Sequence, residues 1–522
     1  MMKKALLAIA LLSISLPGRG EEQRLARPFE VEGGFVARNV VDQAVLAALR
    51  KNGIEPAKAC SDAVFLRRAY VDVIGTLPTP REVIAFLQDR SPGKRGKLID
   101  ALLERDEFAD YWALKWCDLL RVKSEFPINL WPNAVQAYHR WIHDAIRRNR
   151  PYDHLARELL TASGSNFRVP AVNFWRAYQG REPTALAHAV ALTLMGSRFD
   201  RWPEARRTGM AAFFSRVAFK RTTEWKEEIV FTDPSATGPV RAVFPNGTEV
   251  QIDAGRDPRR VFADWLVTPD NPWFTRIIVN RIWAWLMGRG VVHEPDDFRP
   301  DNPPSNPELL EALSKELVLS GYDLRHVYRL ILNSSTYQQS PIPRSDHPEA
   351  RSLFAHYIVR RLDAEVLIDA LCSITGSTEK YWSAVPEPFT FIPEDNRSIA
   401  LADGSITSPF LEMFGRPARD TGLWSERNNG FTGAQRLHML NSTDIQTRIE
   451  RSWKLRALLQ GARRNPRRAI QTVYLLILSR QPTPAEVAAV EKYGRTAKLN
   501  PKQVADDLVW ALINSKEFLY AH

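Results

Sequence analysis

Apolar residues recur at intervals of three and four along most of this 522-residue chain. The pattern is clearest in three segments: GKLIDALLERDEFADYWALKWCDLLR (96–121), VQAYHRWIHDAIRRN (135–149) and FTRIIVNRIWAWLMG (274–288). Residues at that spacing share one face of a helix, so each segment can bury a stripe of side chains against its neighbours. With 44% hydrophobic residues, the chain is also rich enough in apolar side chains to form real cores. We therefore predict a mainly α fold.

A short region in the middle of the chain departs from the helical pattern. Three segments there alternate or are rich in β-branched residues: EEIVFTD (227–233), PVRAVFP (239–245) and TEVQIDAG (248–255). We predict a small β insert at 223–257, between an N-terminal helical domain at 21–222 and a C-terminal helical domain at 258–522. Within the second domain, residues 381–430 form a long irregular stretch, a kind of segment that is often functional.

The first twenty residues, MMKKALLAIALLSISLPGRG, have the layout of a secretory signal peptide. Lys3 and Lys4 precede a short apolar run, and small and turn-forming residues follow it. The run is shorter than the roughly 20 residues of a membrane-spanning helix, and no later segment approaches that length. We predict that residues 1–20 are removed near Gly20, which gives a periplasmic or extracellular protein without a membrane span.

The chain is basic, with a formal net charge of +11 that falls to +8 once Lys3, Lys4 and Arg19 are removed. Acidic partners are therefore favoured. Outside the cytoplasm, anionic glycans and cell-surface polymers fit better than nucleic acid. Charge that serves solubility alone explains the composition equally well, because no block of like charges occurs.

Few residues suit a metal ion or a disulfide framework. Cys60, Cys117 and Cys372 permit at most one disulfide, and no Cys-x-x-Cys pair occurs. His139 and His143 share a helix face, but the glutamate that zinc proteases place between two such histidines is missing. A boundary position is the better interpretation of both histidines, so we predict no metal site and no other cofactor.

An internal repeat links the two ends of the chain. The motif Thr-Pro-x-Glu occurs at 79–82 and again at 483–486, and each copy follows a tyrosine at the same distance. A threonine N-cap, a proline at the first helical position and a glutamate that closes a capping box account for it. We predict two helix starts and no catalytic role.

Two clusters combine arginine with acidic or aromatic side chains. The first comprises Asn280, Arg281, Trp283, Arg289, His293, Asp296, Asp297 and Arg299, and the second comprises Arg416, Arg419, Asp420 and His438. Such residues could bind a sugar, which offers apolar faces for stacking and hydroxyls for bidentate hydrogen bonds. They could equally form buried Arg-Asp networks that hold helices together.

Longer motifs resemble a known pair of domains. The segments LRRAYVDVIGTLPTPREVIAFL (66–87), RPYDHLARELLTASGSNF (150–167) and FDRWPEARRTGMAAFFSRV (199–217) resemble the planctomycete-type secreted cytochrome c-like domain. The segments at 271–310, 360–376 and 511–522 resemble the domain of unknown function that usually follows it. The resemblance covers nearly the whole mature chain and implies a helical, exported protein.

The resemblance also points to a loss. Many members have a Cys-x-x-Cys-His haem-attachment motif directly before the Phe-Asp-Arg-Trp segment. Here the corresponding positions are Ala191, Leu194 and Met195, so both thioether anchors and the histidine ligand are missing. The residues that follow, Phe199, Asp200, Arg201 and Trp202, are then interpreted as the rim of a degenerate haem site.

Three functional interpretations follow. The first is an exported, haem-free protein that binds or helps to process an anionic or neutral extracellular glycan or a cell-surface polymer, together with co-secreted proteins. It predicts a groove between the helical domains lined by arginine and tryptophan, where Arg281, Asp297 and Arg419 converge. The second is a redox-derived enzyme or electron-transfer partner with a non-haem metal site. The third is an interaction scaffold without a ligand.

Overall fold

The computed structural model describes residues 28–390, 392, 394–461 and 465–522. The predicted signal peptide at 1–20 lies outside the described residues. Helices hold 52% of the residues and strands 7%, which confirms the mainly α prediction. Within the described ranges, no helix combines the length and the hydropathy needed to cross a membrane.

The helices that precede the main strands include a buried helix, α2, against which α3, α4 and α5 pack. They are α1 (Val40–Lys51), α2 (Asp62–Ile74), α3 (Pro80–Gln88), α4 (Lys94–Leu103), α5 (Asp106–Leu119), α6 (Pro132–Arg147), α7 (Tyr152–Thr161), α8 (Asn173–Arg176), α9 (Pro183–Met195) and α10 (Glu204–Ala211). Every residue of α2 from Val64 to Ile74 is buried. This helix is therefore enclosed by neighbours on all sides.

The strands form small antiparallel sheets. They are β1 (Gly164–Ser165), β2 (Val217–Arg221), β3 (Glu228–Thr232), β4 (Val240–Val243), β5 (Glu249–Ile252), β6 (Arg360–Arg361) and β7 (Tyr520–Ala521). The first three form one sheet in the order β1-β3-β2, β4 pairs with β5, and β6 pairs with β7. The β4-β5 turn includes Gly247 at a φ of +92°, as the Asn246-Gly247 pair favours. The first sheet thus includes a short strand at Gly164–Ser165, and β2 begins at Val217, slightly before the predicted insert at 223–257.

The rest of the described chain is mainly helical, with irregular stretches at 288–306, at 333–359 and in the described part of 381–430. Its helices are α11 (Pro258–Leu266), α12 (Phe274–Met287), α13 (Pro307–Leu319), α14 (Leu324–Leu332), α15 (Ala364–Thr375), α16 (Pro409–Met413), α17 (Gly433–Asn441), α18 (Thr443–Glu450), α19 (Trp453–Gly461), α20 (Pro466–Leu478), α21 (Pro484–Thr496), α22 (Pro501–Ile513) and α23 (Lys516–Leu519). In the described part of 381–430, the helical segments are α16 and 3₁₀ turns at Ser398–Ala400 and Trp424–Glu426.

Both copies of the Thr-Pro-x-Glu motif begin a helix with a capping box, which confirms that prediction. Thr79 caps α3 and Thr483 caps α21, and in each copy the glutamate side chain accepts a hydrogen bond from the threonine backbone N–H. The buried Arg480 also contacts Glu486, with an N–O distance of 2.8 Å. Burial alone would raise the pKa of Glu486, but the hydrogen bonds and charge of Arg480 lower it overall.

The C-terminal part of the chain closes over α2. The guanidinium of Arg67 donates to the carbonyl oxygens of Ile477 and Phe518, both at 2.9 Å. Arg68 donates to the carbonyl oxygen of Gln339, also at 2.9 Å. Buried apolar residues from both halves form one continuous core. Any cavity between the halves is therefore bordered by a rigid, closely packed framework.

Candidate functional site

Helix α9 ends in a sharp turn that leads to the Phe-Asp-Arg-Trp segment. Gly196 has a φ of +57°, and a Cβ atom there would lie 2.2 Å from Cδ1 of Ile277. A left-handed conformation in such a crowded place requires glycine. The chain then forms a 3₁₀ turn at Phe199–Arg201. This turn directs the following side chains towards the surface.

The positions at which the sequence resemblance predicts a haem motif lie inside the protein core. Ala191, Leu194 and Met195 are fully buried and belong to the continuous apolar core. Further along, Arg201 is exposed and Trp202 is half-buried. The anchor positions are thus occupied by packing, whereas the exposed part of this segment borders open space.

An open groove lies along that exposed part, and we call it the basic groove. Its volume is about 570 Å³. It is lined by two tryptophans, five arginines, two aspartates, a phenylalanine, a serine and three prolines: Ser197, Arg198, Arg201, Trp202, Pro203, Arg206, Pro272, Trp273, Arg276, Asp297, Phe298, Arg299, Pro300 and Asp301. Positive charge therefore exceeds negative charge in the lining.

The two aspartates of the basic groove neutralise only some of its arginines. Asp297 contacts Arg201 at 3.4 Å and Arg299 at 3.1 Å, and Asp301 contacts Arg299 at 3.0 Å. Arg276 pairs with the carboxylate of Glu311, which does not line the groove. Arg198 and Arg206 have no carboxylate within 4.0 Å in the part of the chain that the structure describes. Two guanidinium groups are thus left available to an anionic ligand.

Arg206 stacks on the aromatic wall of the groove. Its guanidinium carbon lies 4.0 Å from the ring centroid of Trp202 and 5.9 Å from that of Trp273. Burial lowers the pKa of Arg206, and no nearby carboxylate counteracts this. A stacked guanidinium presents its N–H edge sideways, where it can bind a carboxylate or sulfate in a bidentate manner.

A second, more enclosed cavity lies between α2, α5, α12 and α15, and we call it the charged pocket. Its volume is about 260 Å³. Its acidic and basic lining residues are Asp72, Lys115, Asp118, Arg281, Asp296, Arg360, Arg361, Asp363 and Arg427, and its aromatic wall includes Trp285 and Trp424. Such a concentration of buried charge is typical of functional sites.

Asp363 is the centre of a buried hydrogen-bond network in the charged pocket. It accepts from the Tyr111 hydroxyl at 2.9 Å, from the Asn429 amide at 2.9 Å and from Lys115. Burial would raise the pKa of Asp363, but the charges of Lys115 and Arg427 lower it overall. Burial also lowers the pKa of Lys115. Asp363 is thus held as a carboxylate.

Two further carboxylates of the pocket are paired with arginine. Asp118 accepts from Arg419 at 2.9 Å and from Arg427 at 2.6 Å. These charges lower the pKa of Asp118 although burial alone would raise it. On the opposite side, Arg360 contacts Asp72 at 2.5 Å. The polar lining is thus positioned before any ligand arrives.

Comparison with protein families accounts for two parts of this architecture. Residues 40–195 match the family described as PSCyt2, a protein of unknown function (DUF1549). Residues 258–494 match the family described as PSD1, a protein of unknown function (DUF1553). The chain thus carries a PSCyt2 segment followed by a PSD1 segment. The order of the two matches is the planctomycete-type pairing. No curated protein and no solved structure matches the chain.

The PSCyt2 and PSD1 segments both contribute to the charged pocket. Asp72, Lys115 and Asp118 come from the PSCyt2 segment, whereas Arg281 and Asp363 come from the PSD1 segment. The basic groove differs, since its lining residues from Ser197 to Arg206 follow the PSCyt2 segment and the others, from Pro272 to Asp301, lie in the PSD1 segment. The charged pocket is therefore the cavity to which both matched segments contribute.

The predicted convergence of Arg281, Asp297 and Arg419 occurs only in part. Arg281 lines the charged pocket, and Arg419 lies behind it against Asp118, but Asp297 faces the basic groove. Arg419 is fully buried and donates to the carbonyl oxygen of Ala402 at 2.8 Å. The sequence prediction therefore combined residues of two separate cavities.

The other predicted site residues have contacts that are mainly structural. The Asn280 amide exchanges two hydrogen bonds of 3.0 Å with the backbone of Val292. Trp283 is buried against Phe354, with ring centroids 4.9 Å apart. Arg289 and His293 are half-buried, and burial lowers the pKa of both.

In the second predicted cluster, Arg416 is almost wholly enclosed and donates to the carbonyl oxygen of Asp403 at 3.0 Å. Asp420 pairs with Lys123 at 2.6 Å. The ring of His438 lies 5.9 Å from that of Phe410. This cluster stabilises the stretch at 381–430 and does not line either cavity.

Sequence reasoning missed several residues that border the cavities: Arg198, Arg206 and Trp273 in the groove, and Lys115, Asp118, Arg360, Arg361 and Asp363 in the pocket. Arg206 follows Trp202 by four residues at the start of a helix, a spacing that could have indicated the stacked pair. Contacts such as Asp72 with Arg360 join residues 288 positions apart, and no local pattern indicates them.

Metal-ligating residues are not grouped in the described ranges. There, no cluster of three or more His, Cys, Asp or Glu side chains has a geometry suited to a metal ion. His143 lies 3.1 Å from Asp110, and burial lowers the pKa of His139 to about 3. Cys60, Cys117 and Cys372 are free thiols. The interpretation as a redox enzyme with a non-haem metal thus gains no support from these residues.

Proposed function

We propose that this protein is an exported, haem-free protein that binds an acidic extracellular polysaccharide in the basic groove. The observation that supports this most directly is the Arg206–Trp202 pair. It combines an aromatic face with a guanidinium that has no carboxylate partner within 4.0 Å among the described residues. Sugar rings stack on aromatic faces, and acidic sugars add a carboxylate or sulfate that arginine binds.

The shape and charge of the groove agree with a polymer ligand. Its volume of about 570 Å³ lies within the ~300–1,000 Å³ range of ligand-binding clefts. Five arginines against two aspartates give an excess of positive charge along its length. Because the groove is open, a chain longer than one sugar unit can lie in it without threading through the protein.

Export and the loss of haem are parts of the same proposal. The lysine pair and short apolar run at 1–20 support secretion, which would bring the protein to such polymers. Ala191, Leu194 and Met195 replace the two cysteines and the histidine that covalent haem attachment needs. A function based on polar and stacking contacts needs neither haem nor another redox centre.

Affinity electrophoresis in gels that contain dextran sulfate, polygalacturonate or neutral dextran tests the proposal. We expect both acidic polymers, but not dextran, to retard the protein, and we expect added salt to weaken the effect. Arg206→Ala and Trp202→Ala should each reduce the affinity by about tenfold, the equivalent of one good charged or stacked contact. Retardation by none of the polymers would contradict the proposal.

The matched control is Trp225→Ala. Trp225 is 60% exposed and lies beside Lys226, so it is also a surface tryptophan with a cationic neighbour, but it is outside the groove. This variant should bind the acidic polymers as the wild type does. A loss of binding in this variant, with normal binding by Arg206→Ala, would move the polymer site away from the groove and overturn the proposal.

A further inference from the structure

The charged pocket has a charge imbalance that its own residues do not resolve. Its lining contains five cations and four carboxylates. Lys115, Arg281, Arg360 and Arg427 each have a carboxylate within 4.0 Å. Arg361 has none in the part of the chain that the structure describes. The unpaired positive charge of the pocket is therefore that of the Arg361 guanidinium.

Arg361 is deeply buried and only partly hydrogen-bonded. It is 1% exposed, and its Nη2 donates to the carbonyl oxygens of Phe414 and Asn428 at 2.5 and 2.8 Å. Its Nε and Nη1 have no hydrogen-bond partner among the described residues. Neutral carbonyl groups do not cancel a full charge. A buried charge without a counter-charge is costly, so one further negative charge would stabilise this region.

The nearest carboxylates cannot supply that charge, because they serve other cations. Asp363 pairs with Lys115, and Glu365 pairs with Arg427 at 2.7 Å. Both act on Arg361 only from a distance, and burial still lowers the pKa of Arg361 overall. One additional anion would therefore balance the charge of Arg361.

The walls and the size of the pocket narrow the class of that anion. The rings of Trp285 and Trp424 lie 6.5 Å apart at an angle of 30° and form an apolar side. The volume of about 260 Å³ is slightly below the ~300 Å³ lower end for drug-sized ligands, so a single small ring fits and an oligomer does not. Carboxylates and guanidinium groups around this space can bind hydroxyl groups as acceptors and donors.

We propose that the charged pocket binds a compact organic monoanion, a carboxylate on a hydroxylated body about the size of one sugar ring. Its negative charge balances Arg361, and its ring lies against Trp424. The contacts to its hydroxyl groups come from Asp118, Arg360 and Arg427, whose side chains stay partly exposed. This site is separate from the basic groove and does not depend on polymer binding there.

Isothermal titration and thermal unfolding of the full chain test the proposal with D-glucuronate, D-galacturonate, D-glucose and sulfate as probes. We expect one uronate to bind per chain and to raise the melting temperature, because it bridges the PSCyt2 and PSD1 segments. Glucose lacks the charge and sulfate lacks the ring, so both should bind at least about tenfold more weakly. Uronate binding no tighter than that of glucose or sulfate would overturn the proposal.

Variants of the pocket identify the residue responsible. Arg361→Gln should lower the uronate affinity by about tenfold or more, whereas Arg361→Lys, which keeps the charge, should lower it by less. Arg67→Gln is the matched control, since Arg67 is also buried and donates to carbonyl oxygens only, but outside the pocket. Uronate binding by Arg361→Gln at wild-type strength would overturn the assignment.

A second variant keeps the test decisive if Arg361→Gln does not fold. Trp424→Ala removes a half-buried ring at the pocket wall without changing any charge, and it should weaken uronate binding several-fold. Trp382→Ala, at an exposed tryptophan outside the pocket, should leave it unchanged. Equal affinities of these two variants would contradict the proposal. Arg206→Ala should bind uronate normally, so failure of the groove proposal and failure of this one can be distinguished.

Discussion

Asp296 and Asp297 are neighbours in the chain, but their carboxylates face different cavities. Asp296 pairs with Arg281 in the charged pocket at 2.8 Å, and both side chains are 2% exposed. Asp297 pairs with Arg201 and Arg299 in the basic groove. The segment around these two residues therefore separates the two cavities, and substitutions at adjacent positions should have very different effects.

Asp296→Asn should be strongly destabilising. It leaves the buried Arg281 without its counter-charge and weakens the bond to the Trp424 backbone N–H, so we expect a loss of about 3–5 kcal/mol in the free energy of unfolding. Chemical denaturation of both variants measures this. Asp297→Asn is the control: its arginine partners are at the surface, so the loss should be about 1 kcal/mol. Similar losses in the two variants would contradict the assignment of the two cavities.

Gly196→Ala tests the turn that joins α9 to the groove. The new Cβ atom would lie 2.2 Å from Ile277 in a backbone region that favours glycine, so we expect a loss of about 2–4 kcal/mol and a weaker polymer affinity. Gly321→Ala is the matched control, because Gly321 has a φ of +69° but no atom within 4 Å of its Cβ position. Gly321→Ala should lose only about 1 kcal/mol in the free energy of unfolding, the cost of placing alanine in this backbone conformation. Thermal and chemical unfolding compare the two.

Local features of the fold could be predicted from the sequence because local physics determines them. The Thr-Pro-x-Glu motifs gave two capping boxes, since every group of that motif contacts its own turn. The repeat did not indicate how the glutamates are paired. Arg105 contacts Glu82, and Arg480 contacts Glu486, yet these arginines occupy different positions relative to the motif. Long-range packing determines which arginine pairs with each glutamate, and the spacing of residues along the chain does not indicate these partners.

The candidate site was predictable only where its residues are close in sequence. Arg281 and Asp296 were recognised as a pair because they lie in one short segment, and they are paired. Asp72 and Arg360 lie far apart in the chain and meet only because the C-terminal half closes over α2. Charges brought together in this way form most of the charged pocket, so the sequence could not delimit it.

The purified protein should show no Soret absorption, and denaturation in acid should release no haem-bound peptide. The reason is structural as well as chemical: Ala191, Leu194 and Met195 offer no thiol or imidazole, and all are buried in the apolar core. A visible spectrum with metal analysis of the exported protein is the measurement. A c-type cytochrome with a Cys-x-x-Cys-His motif serves as the positive control. A covalently bound haem would contradict the haem-free part of the proposed function.

Asp369 should make the stability of the protein depend on pH in a defined window. Burial raises its pKa from 3.8 to about 6 although Arg397 and the backbone N–H groups of Ser398 and Ile399 favour the carboxylate. Between about pH 4 and pH 6 the folded protein keeps a proton that the unfolded chain has released, so this residue lowers stability as the pH rises.

Asp369→Asn isolates that contribution, because an amide does not titrate. The free energy of unfolding of the variant minus that of the wild type should rise by on the order of 2–3 kcal/mol from about pH 4 to pH 7. Groups with lowered pKa, such as Asp118 and Asp363, have the opposite dependence but contribute equally to both proteins and cancel in the difference. Urea denaturation across this range measures it. A difference that stays constant would show that Asp369 is ionised in the folded protein throughout, and that its hydrogen bonds outweigh its burial.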